Sequence, residues 1–337
     1  MNRLTLGALL AVALGSASWH AAPRTAQATA PVLRVVADVP LPGGAVRFDY
    51  QSLDLRSDRL YIAHMSAGAV VVFNVRTRRV VGTVSDLPGV TGVWAVPVLG
   101  RVYASVTGLH HVAVIDAATL KIVDRVGPIA FPDGIAYAPE QQKVYVSDES
   151  GGGELVIDAK TNRVHTIPLG GEAGNTVFDP GSRCILVAVQ SRNQVWVIDP
   201  ANERVLGRFD LQGGARPHGM ALDAARRLAF VANERDARVL IVDLRSMKVT
   251  GSVPVGEAPD VLAFDPQWRR LYVASESGTV SVFTEVGTGL VPDGFLRIPH
   301  AHSVLVDPRT HLVYLPLQDV GGRPVLRIME GHPPAVN

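Results

Sequence analysis

Short hydrophobic runs recur along this chain at an almost fixed distance, and each run follows a marker residue and a turn. The intervals between successive markers are 42, 42, 41, 44, 42 and 42 residues. The markers are Asp54, Val96, Ala138, Asp179, Asp223, Asp265 and Asp307. Seven positions after each marker the run begins with a large side chain, as in YIAH, YVSD and FVAN. Such runs are rich in β-branched and aromatic residues, which favours strands over helices.

A strand repeat with a period of about 40 to 45 residues is typical of propeller blades. The pattern therefore predicts an all-β fold, a seven-bladed β-propeller with four antiparallel strands in each blade. In the fifth repeat we expect strands at 219–222, 228–232, 239–243 and 248–255. The last repeat lacks a fourth strand, whereas residues 32–36 form a spare strand before the first repeat. We expect this N-terminal strand to complete the last blade and close the ring, because an open ring leaves strand edges unpaired.

The first 28 residues have the pattern of a signal peptide rather than of a blade. Arg3 is followed by an apolar run from Leu4 to Ala17 and then by small residues around Ala28. Such a segment is typical of a secretory signal that is removed during export. We therefore predict cleavage after Ala28 and a single propeller domain at 29–337, located in the periplasm or secreted. The apolar run is too short for a confident membrane span, so no membrane insertion is expected after cleavage.

The charge of the chain argues against nucleic acid as a partner. The formal net charge is +1, and loss of Arg3 and Arg24 with the signal peptide changes it to −1. Binding to a phosphate backbone requires a basic stripe or patch, and the sequence contains none. Closed propellers are often monomeric, and we expect a monomer.

Several motifs resemble those of a known family. Val-x-Val-Ile-Asp runs such as 112–116, Tyr-Val-Ala/Ser runs, and Pro-His-Gly or Pro-Asp-Gly before the inner strands at 217–219 and 132–134 are similar to the YVTN repeats of YncE-like bacterial propellers. The resemblance covers about residues 32 to 329. It implies the propeller fold and a binding or scaffold role, and it implies no particular reaction.

The residues five positions before the markers mark the start of each innermost strand, at the central channel. They are Asp49, Thr91, Asp133, Gly174, His218, Asp260 and His302, with Asn175 as an alternative to Gly174. Equivalent positions of successive blades converge on one axis, so the channel mouth is expected to be rich in aspartate and histidine. Carboxylates crowded around a narrow axis repel one another, and a bound cation relieves that repulsion.

We therefore predict one divalent metal ion at the channel mouth. The candidate ligands are Asp49, Asp133, His218, Asp260 and His302. Imidazoles combined with carboxylates suit Zn²⁺, Mn²⁺ or Fe²⁺, whereas coordination by oxygen alone suits Mg²⁺ or Ca²⁺. The alternative is a structural role, in which these side chains bond to backbone N–H groups of neighbouring loops.

Two functions remain open at this stage. The first is an exported binding or scaffold protein whose mouth contacts a small molecule or an envelope protein. The second is a metal-dependent hydrolase or lyase of lactonase-like type, in which the cation polarises a carbonyl or acidifies a water. In that case a general base at the rim is required, and His64, His300 and Glu149 are the candidates.

Overall fold

The seven repeats fold into seven separate four-stranded sheets. The structure is a computed structural model that describes residues 32–333, and 28 strands lie in this range. Neighbouring strands within each sheet are antiparallel. The prediction of an all-β, seven-bladed β-propeller is therefore confirmed. The predicted signal peptide at 1–28 lies outside the described residues.

The first three blades follow the chain without crossovers. The first contains β2 (Gln51–Asp54), β3 (Arg59–His64), β4 (Ala69–Asn74) and β5 (Arg79–Val84). The second contains β6 (Val90–Val96), β7 (Arg101–Val106), β8 (His111–Asp116) and β9 (Ile122–Val126). The third contains β10 (Pro132–Ala138), β11 (Lys143–Asp148), β12 (Gly153–Asp158) and β13 (Val164–Pro168).

The next three blades repeat the same order from the inner to the outer strand. The fourth contains β14 (Ala173–Asp179), β15 (Cys184–Val189), β16 (Gln194–Asp199) and β17 (Arg204–Asp210). The fifth contains β18 (Pro217–Asp223), β19 (Leu228–Asn233), β20 (Arg238–Asp243) and β21 (Lys248–Pro254). The sixth contains β22 (Pro259–Asp265), β23 (Arg270–Ser275), β24 (Thr279–Val286) and β25 (Gly289–Arg297).

Short 3₁₀ helices occupy some of the connections. They are Met65–Ala67, Pro97–Leu99, Thr107–Leu109 and Gln190–Arg192. Among residues 32–333, no helix has the length and apolar character needed to cross a membrane.

The last blade takes its outer strand from the start of the described chain. It contains β26 (Leu305–Val306), β27 (Leu312–Leu317), β28 (Val325–Gly331) and β1 (Leu33–Pro40). Strand β1 pairs with β28 in antiparallel register, from Leu33 opposite Gly331 to Pro40 opposite Val325. The predicted closure of the ring by the N-terminal strand is confirmed.

The hydrophobic core lies between the blades rather than at one centre. Seven apolar clusters fill the described ring, each shared by two neighbouring blades. At the closure point, Ile62 and Phe73 of the first blade share a cluster with Tyr314 and Leu326 of the last. Both faces of each blade must be covered, because each β-run is apolar. The closed ring therefore leaves no blade with an uncovered apolar face.

The marker aspartates form turns on the face opposite the channel mouth. Asp54 Oδ1 accepts a hydrogen bond from the backbone N–H of Arg56 at 2.8 Å, and Asp307 Oδ1 accepts one from Arg309 at 3.0 Å. An aspartate that bonds the backbone two residues ahead stabilises a tight turn. These carboxylates are structural.

Glycines let the innermost strands approach each other closely. A Cβ on Gly219 would lie 1.8 Å from the carbonyl oxygen of Asp260, and one on Gly92 would lie 2.0 Å from that of Asp133. Only glycine avoids a clash at such distances. The inner strand of one blade thereby braces the backbone that carries the channel residue of the next.

Candidate functional site

The aspartates and histidines that start the inner strands meet at one end of the axial channel. All of them are buried. Asp49, Asp133, His218 and Asp260 line a cavity of about 220 Å³ at this mouth. We call this space the mouth cavity. Its remaining wall consists of Arg47, Tyr50, Met65, Thr91, Phe131, Glu149, Glu234 and Glu276.

Three of the candidate metal ligands form a compact triad. One ligand atom each from Asp49, Asp260 and His302 can be chosen so that all three lie within 4.8 Å of one another. Such spacing is compatible with a single ion, since ligand atoms bind a transition metal at about 2.0 to 2.3 Å. We call these residues the triad.

The charge state of the triad is set by burial. Burial raises the pKa of Asp49 well above its usual value, and the negative charges of Asp260 and Asp133 raise it further. Burial lowers the pKa of His302, and its Nε2 has no hydrogen-bond partner among the described residues. The imidazole is therefore neutral at neutral pH, which is the form that binds metals.

His218 forms the centre of a second polar group beside the triad. Its Nε2 lies 3.2 Å from Asp260 Oδ1, 3.2 Å from the hydroxyl of Tyr50 and 3.8 Å from Asp133 Oδ2. Burial would lower the pKa of His218, but the hydrogen bond to Asp260 and the nearby negative charges raise it to about 10. At neutral pH this ring is an imidazolium whose two nitrogens both carry protons.

The pKa values of the two aspartates near His218 shift in opposite directions. Burial would raise the pKa of Asp260, but the hydrogen bond from His218 holds it below its usual value. Burial raises the pKa of Asp133 to about 7, even though the charge of His218 opposes the change. Asp260 is therefore an ionised partner of His218, whereas Asp133 binds its proton over a wider pH range.

Two arginines form ion pairs across the rim of the mouth. Arg47 donates two hydrogen bonds to Glu276, at 2.6 and 3.1 Å, and lies 3.9 Å from Asp260. Arg216 contacts three glutamates: Glu234 at 2.7 Å, Glu172 at 3.2 Å and Glu149 at 3.7 Å. These contacts link loops of different blades and leave the rim with more carboxylates than cations.

Comparisons with known proteins agree with the repeat pattern. No protein-family model matches the chain. A 228-residue segment is 24% identical to antigen Lp49 of Leptospira interrogans, covering 64% of this chain and 40% of that protein. A 138-residue segment is 29% identical to YncE of Escherichia coli K12, covering 34% of this chain and 39% of that protein. YncE of Salmonella typhimurium is 26% identical over 155 residues, covering 38% of this chain and 44% of that protein.

The chain is a seven-bladed β-propeller that is similar in sequence to YncE over part of its length. It spans only 39 to 44% of the length of these curated relatives. A chain of hydrazine synthase from Kuenenia stuttgartiensis superposes with a TM-score of 0.72 at 17% identity, covering 87% of this chain and 97% of that one. A chain of the mitotic checkpoint complex superposes with a TM-score of 0.74 at 10% identity, covering 97% of this chain and 99% of that one. At such identities the structural matches show the fold of the YncE-like propeller alone.

The three candidate bases lie in different surroundings. Glu149 lines the mouth cavity of the YncE-like propeller and accepts a hydrogen bond from Gln190 at 3.2 Å. His64 is buried and stacks on Phe48, with ring centroids 3.9 Å apart. His300 is exposed and follows the outer strand of the sixth blade. Of the three, Glu149 alone is among the residues that form the wall of the cavity.

The structure also brings residues to the mouth that the repeat analysis did not select. Arg47 and Phe131 lie two positions before Asp49 and Asp133, and Arg216 has the same position relative to His218. Tyr50 follows Asp49 directly. Alignment of the blades at these two positions would have found all of them. The mouth therefore combines the positions two before, at and one after the channel residue with residues of the connections after the second strands, such as Glu149 and Glu234.

Proposed function

We propose that this propeller is an exported binding protein of the cell envelope that holds a divalent metal ion at its channel mouth. The observation that carries the proposal is the triad, in which Asp49, Asp260 and His302 offer ligand atoms within 4.8 Å of one another. Two carboxylates and one imidazole suit Zn²⁺ or Mn²⁺ better than Ca²⁺, which prefers six or more oxygen ligands. The ion would be presented in the mouth cavity to a small molecule or to a partner protein.

The electrostatics of the site support a cation. Asp49 is buried next to two other carboxylates, and its raised pKa reflects that unfavourable arrangement. A divalent ion would replace the proton on Asp49 and relieve the repulsion. His218 would hold Asp260 from outside the triad by its hydrogen bond, as partners of metal ligands commonly do.

The charged side chains at the mouth also favour a cation over an anion. Each arginine at the rim is already engaged by glutamate, so neither offers a free positive charge to an anion. The carboxylates outnumber the cations along the wall of the cavity. A cation therefore complements this site better than a phosphate or a nucleic acid does.

The enzymatic alternative is a metal-dependent hydrolase or lyase of lactonase-like type. It is favoured by the position of Glu149 on the cavity wall, where a carboxylate can take a proton from a metal-activated water. Its contacts with Arg216 and Gln190 both fall on Oε1, so this oxygen is already engaged by neighbouring side chains. For this reason we propose a binding protein as the first function and an enzyme as the second.

Metal binding can be tested with one pair of histidine variants. Purified protein is treated with chelator and titrated calorimetrically with ZnCl₂, MnCl₂ and CaCl₂. The variant His302→Ala removes a triad ligand, and His300→Ala is a matched control at an exposed position two residues away. We expect one equivalent of Zn²⁺ or Mn²⁺ to bind to the wild type and to His300→Ala, and to bind at least 100-fold more weakly to His302→Ala.

Equal binding by all three proteins, or no binding by any, would refute the metal site. A screen of lactones and esters with and without EDTA then separates the two functions. Chelator-sensitive turnover that is lost in Glu149→Gln establishes the enzyme, whereas metal binding without turnover establishes the binding protein.

A further inference from the structure

The outer half of the sixth blade departs from the pattern of the other six. In this blade Ser281 of β24 pairs with Phe295 of β25. At the position of Ser281, set by the strand registers, the other blades have Val71, Ala113, Leu155, Trp196, Leu240 and Arg327. The outer-strand partners of these residues are Thr83, Arg125, Thr166, Arg208, Ser252 and Asp38. Of the seven described blades, the sixth alone combines a hydroxyl on its third strand with an aromatic ring on its outer strand.

A cleft lies beside this pair of residues. It has a volume of about 400 Å³, and we call it the outer cleft. One wall is formed by residues 254–257, which connect the fifth blade to the sixth, and the other by Ser277, Thr279, Ser281, Phe295 and Arg297. None of these residues lines the mouth cavity, so the outer cleft is a separate site. Its volume lies within the range of about 300 to 1,000 Å³ that is usual for small-molecule sites.

Phe295 presents an open aromatic ring to this cleft. The residue is 68% exposed, and since the other six blades have a polar residue at this position, the packing of a blade does not require an aromatic there. The face of an aromatic ring carries partial negative charge, and it attracts C–H groups, which carry partial positive charge. Sugar rings present such C–H groups on their faces. Phe295 is therefore suited to stack against the face of a sugar ring.

Polar side chains surround that ring. Thr279 pairs with Arg297 just as Ser281 pairs with Phe295, and directly paired residues of antiparallel strands have Cβ atoms about 4.5 to 5.5 Å apart. Since alternate residues of a strand share a face, these four side chains lie together on one face of the sheet. The floor of the cleft beside Phe295 is therefore formed by small hydroxyl side chains, which leave room for a ligand.

Charged groups at the edge complete the outer cleft. Arg297 and Glu257 are exposed and line it from opposite walls. The guanidinium offers N–H donors and the carboxylate offers acceptors, so the cleft can both donate to and accept from hydroxyl groups of a ligand. One positive and one negative side chain balance each other, which favours a neutral ligand over a charged one.

We propose that the outer cleft binds a neutral sugar ring of the β-glucoside type, in which all ring substituents are equatorial and both ring faces carry only C–H groups. One face of the sugar stacks on Phe295, and the hydroxyl groups at its edge bond to Arg297 and Glu257. The site is separate from the triad and does not depend on a bound metal.

The proposal is tested with methyl β-D-glucopyranoside and with sorbitol, which carries similar hydroxyl groups on an open chain. Binding to the EDTA-treated wild-type protein is measured by saturation-transfer NMR. We expect the glucoside to bind, with the strongest transfer to its ring C–H protons. Sorbitol should bind about tenfold more weakly or less, because an open chain presents no flat apolar face to Phe295.

Variants of the cleft locate the site. Phe295→Ala and Arg297→Ala should each weaken binding of the glucoside by about tenfold, whereas Phe295→Trp keeps an aromatic face and should retain binding. Val291→Ala, 50% exposed on the same strand, and Arg323→Ala, at an exposed position of the last blade, are matched controls and should bind as the wild type does. All of these positions are exposed, so the variants are expected to fold.

Lack of glucoside binding by the wild type, equal binding of sorbitol, or unchanged binding in Phe295→Ala or Arg297→Ala would overturn the proposal. Sedimentation velocity tests the other explanation for an exposed ring. A wild-type dimer that dissociates in Phe295→Ala would assign the ring to contact with a second copy of the chain, and the sugar site would be wrong.

Discussion

Replacing Asp133 by asparagine is predicted to stabilise the metal-free protein at alkaline pH and to have little effect at acid pH. This carboxylate is buried, and its Oδ2 has no hydrogen-bond partner among residues 32–333. His218 Nε2, at 3.8 Å, is too distant for a hydrogen bond. Asparagine has nearly the same shape and stays neutral at every pH. The substitution therefore removes the charge and preserves the packing.

The magnitude follows from the pKa of the group. Burial raises the pKa of Asp133 from 3.8 to about 7 in the folded protein, so ionisation opposes folding. Below about pH 4 the carboxyl is protonated in both states and contributes no difference. As the pH rises to 7 the unfolded chain ionises first, stability falls, and above pH 7 the penalty is constant. Each tenfold difference between the two ionisation constants corresponds to about 1.4 kcal/mol, so the penalty is at most about 4 kcal/mol.

The assay is thermal unfolding in EDTA, followed by circular dichroism at pH 4 and pH 8. At pH 8 we expect Asp133→Asn to melt higher than the wild type by roughly 5 °C or more, and at pH 4 we expect the two curves to coincide. Asp236→Asn, at an exposed position, is the matched control and should behave as the wild type at both values. A lower melting temperature for Asp133→Asn at pH 8 would show that attraction to His218 outweighs burial, and the reasoning would be wrong.

Three other outcomes are expected. In chemical denaturation, Gly219→Ala should lower the free energy of unfolding by about 3 kcal/mol or more, because its Cβ would lie 1.8 Å from a backbone oxygen. Gly207→Ala, with no neighbour within 4 Å, should be nearly neutral in this assay. Leu33→Ala in the closing strand should cost about 2 to 5 kcal/mol, and a smaller loss would mean that β1 contributes little. Calorimetric Zn²⁺ affinity should fall from pH 7.5 to pH 5.5, because the raised pKa of Asp49 makes protons compete; a flat profile contradicts a role for that carboxylate.

The fold was predictable because the repeat is a property of spacing. Each blade needs the same turn and the same apolar strands, so the markers recur at 41 to 44 residues. The spare strand at the N-terminus could be assigned to the last blade by counting alone. Its length could not, because β1 continues to Pro40, beyond the apolar run at 32–36, with alternate side chains facing solvent.

The candidate site was predictable only as a ring of positions. Equivalent positions converge on the axis, and this placed Asp49, Asp133, His218, Asp260 and His302 together. Spacing does not say which neighbours touch. The division into a triad and a group around His218, which share Asp260, depends on side-chain rotamers, and these are not encoded in the period.

Tyr50 illustrates why the remaining features were missed. A repeat analysis looks for what the blades share, and Tyr50 is where one blade departs from the others. Its ring packs in a cluster with Val261 and Val304, and its hydroxyl lies 3.2 Å from His218 Nε2. Such a residue is recognised by comparing the blades position by position and asking where a small side chain is replaced by a large one.

The pairing of β1 with β28 has a consequence for how the molecule is made. Of the 28 described strands, β1 is synthesised first and β28 last, so the ring closes only after all the residues from Leu33 to Gly331 have been made. A contact between such remote segments forms slowly, so closure of the ring is expected to be a late step of folding. Once paired, β1 and β28 hold the ring closed. A force that pulls the two ends apart would have to break this sheet before it could unfold another blade.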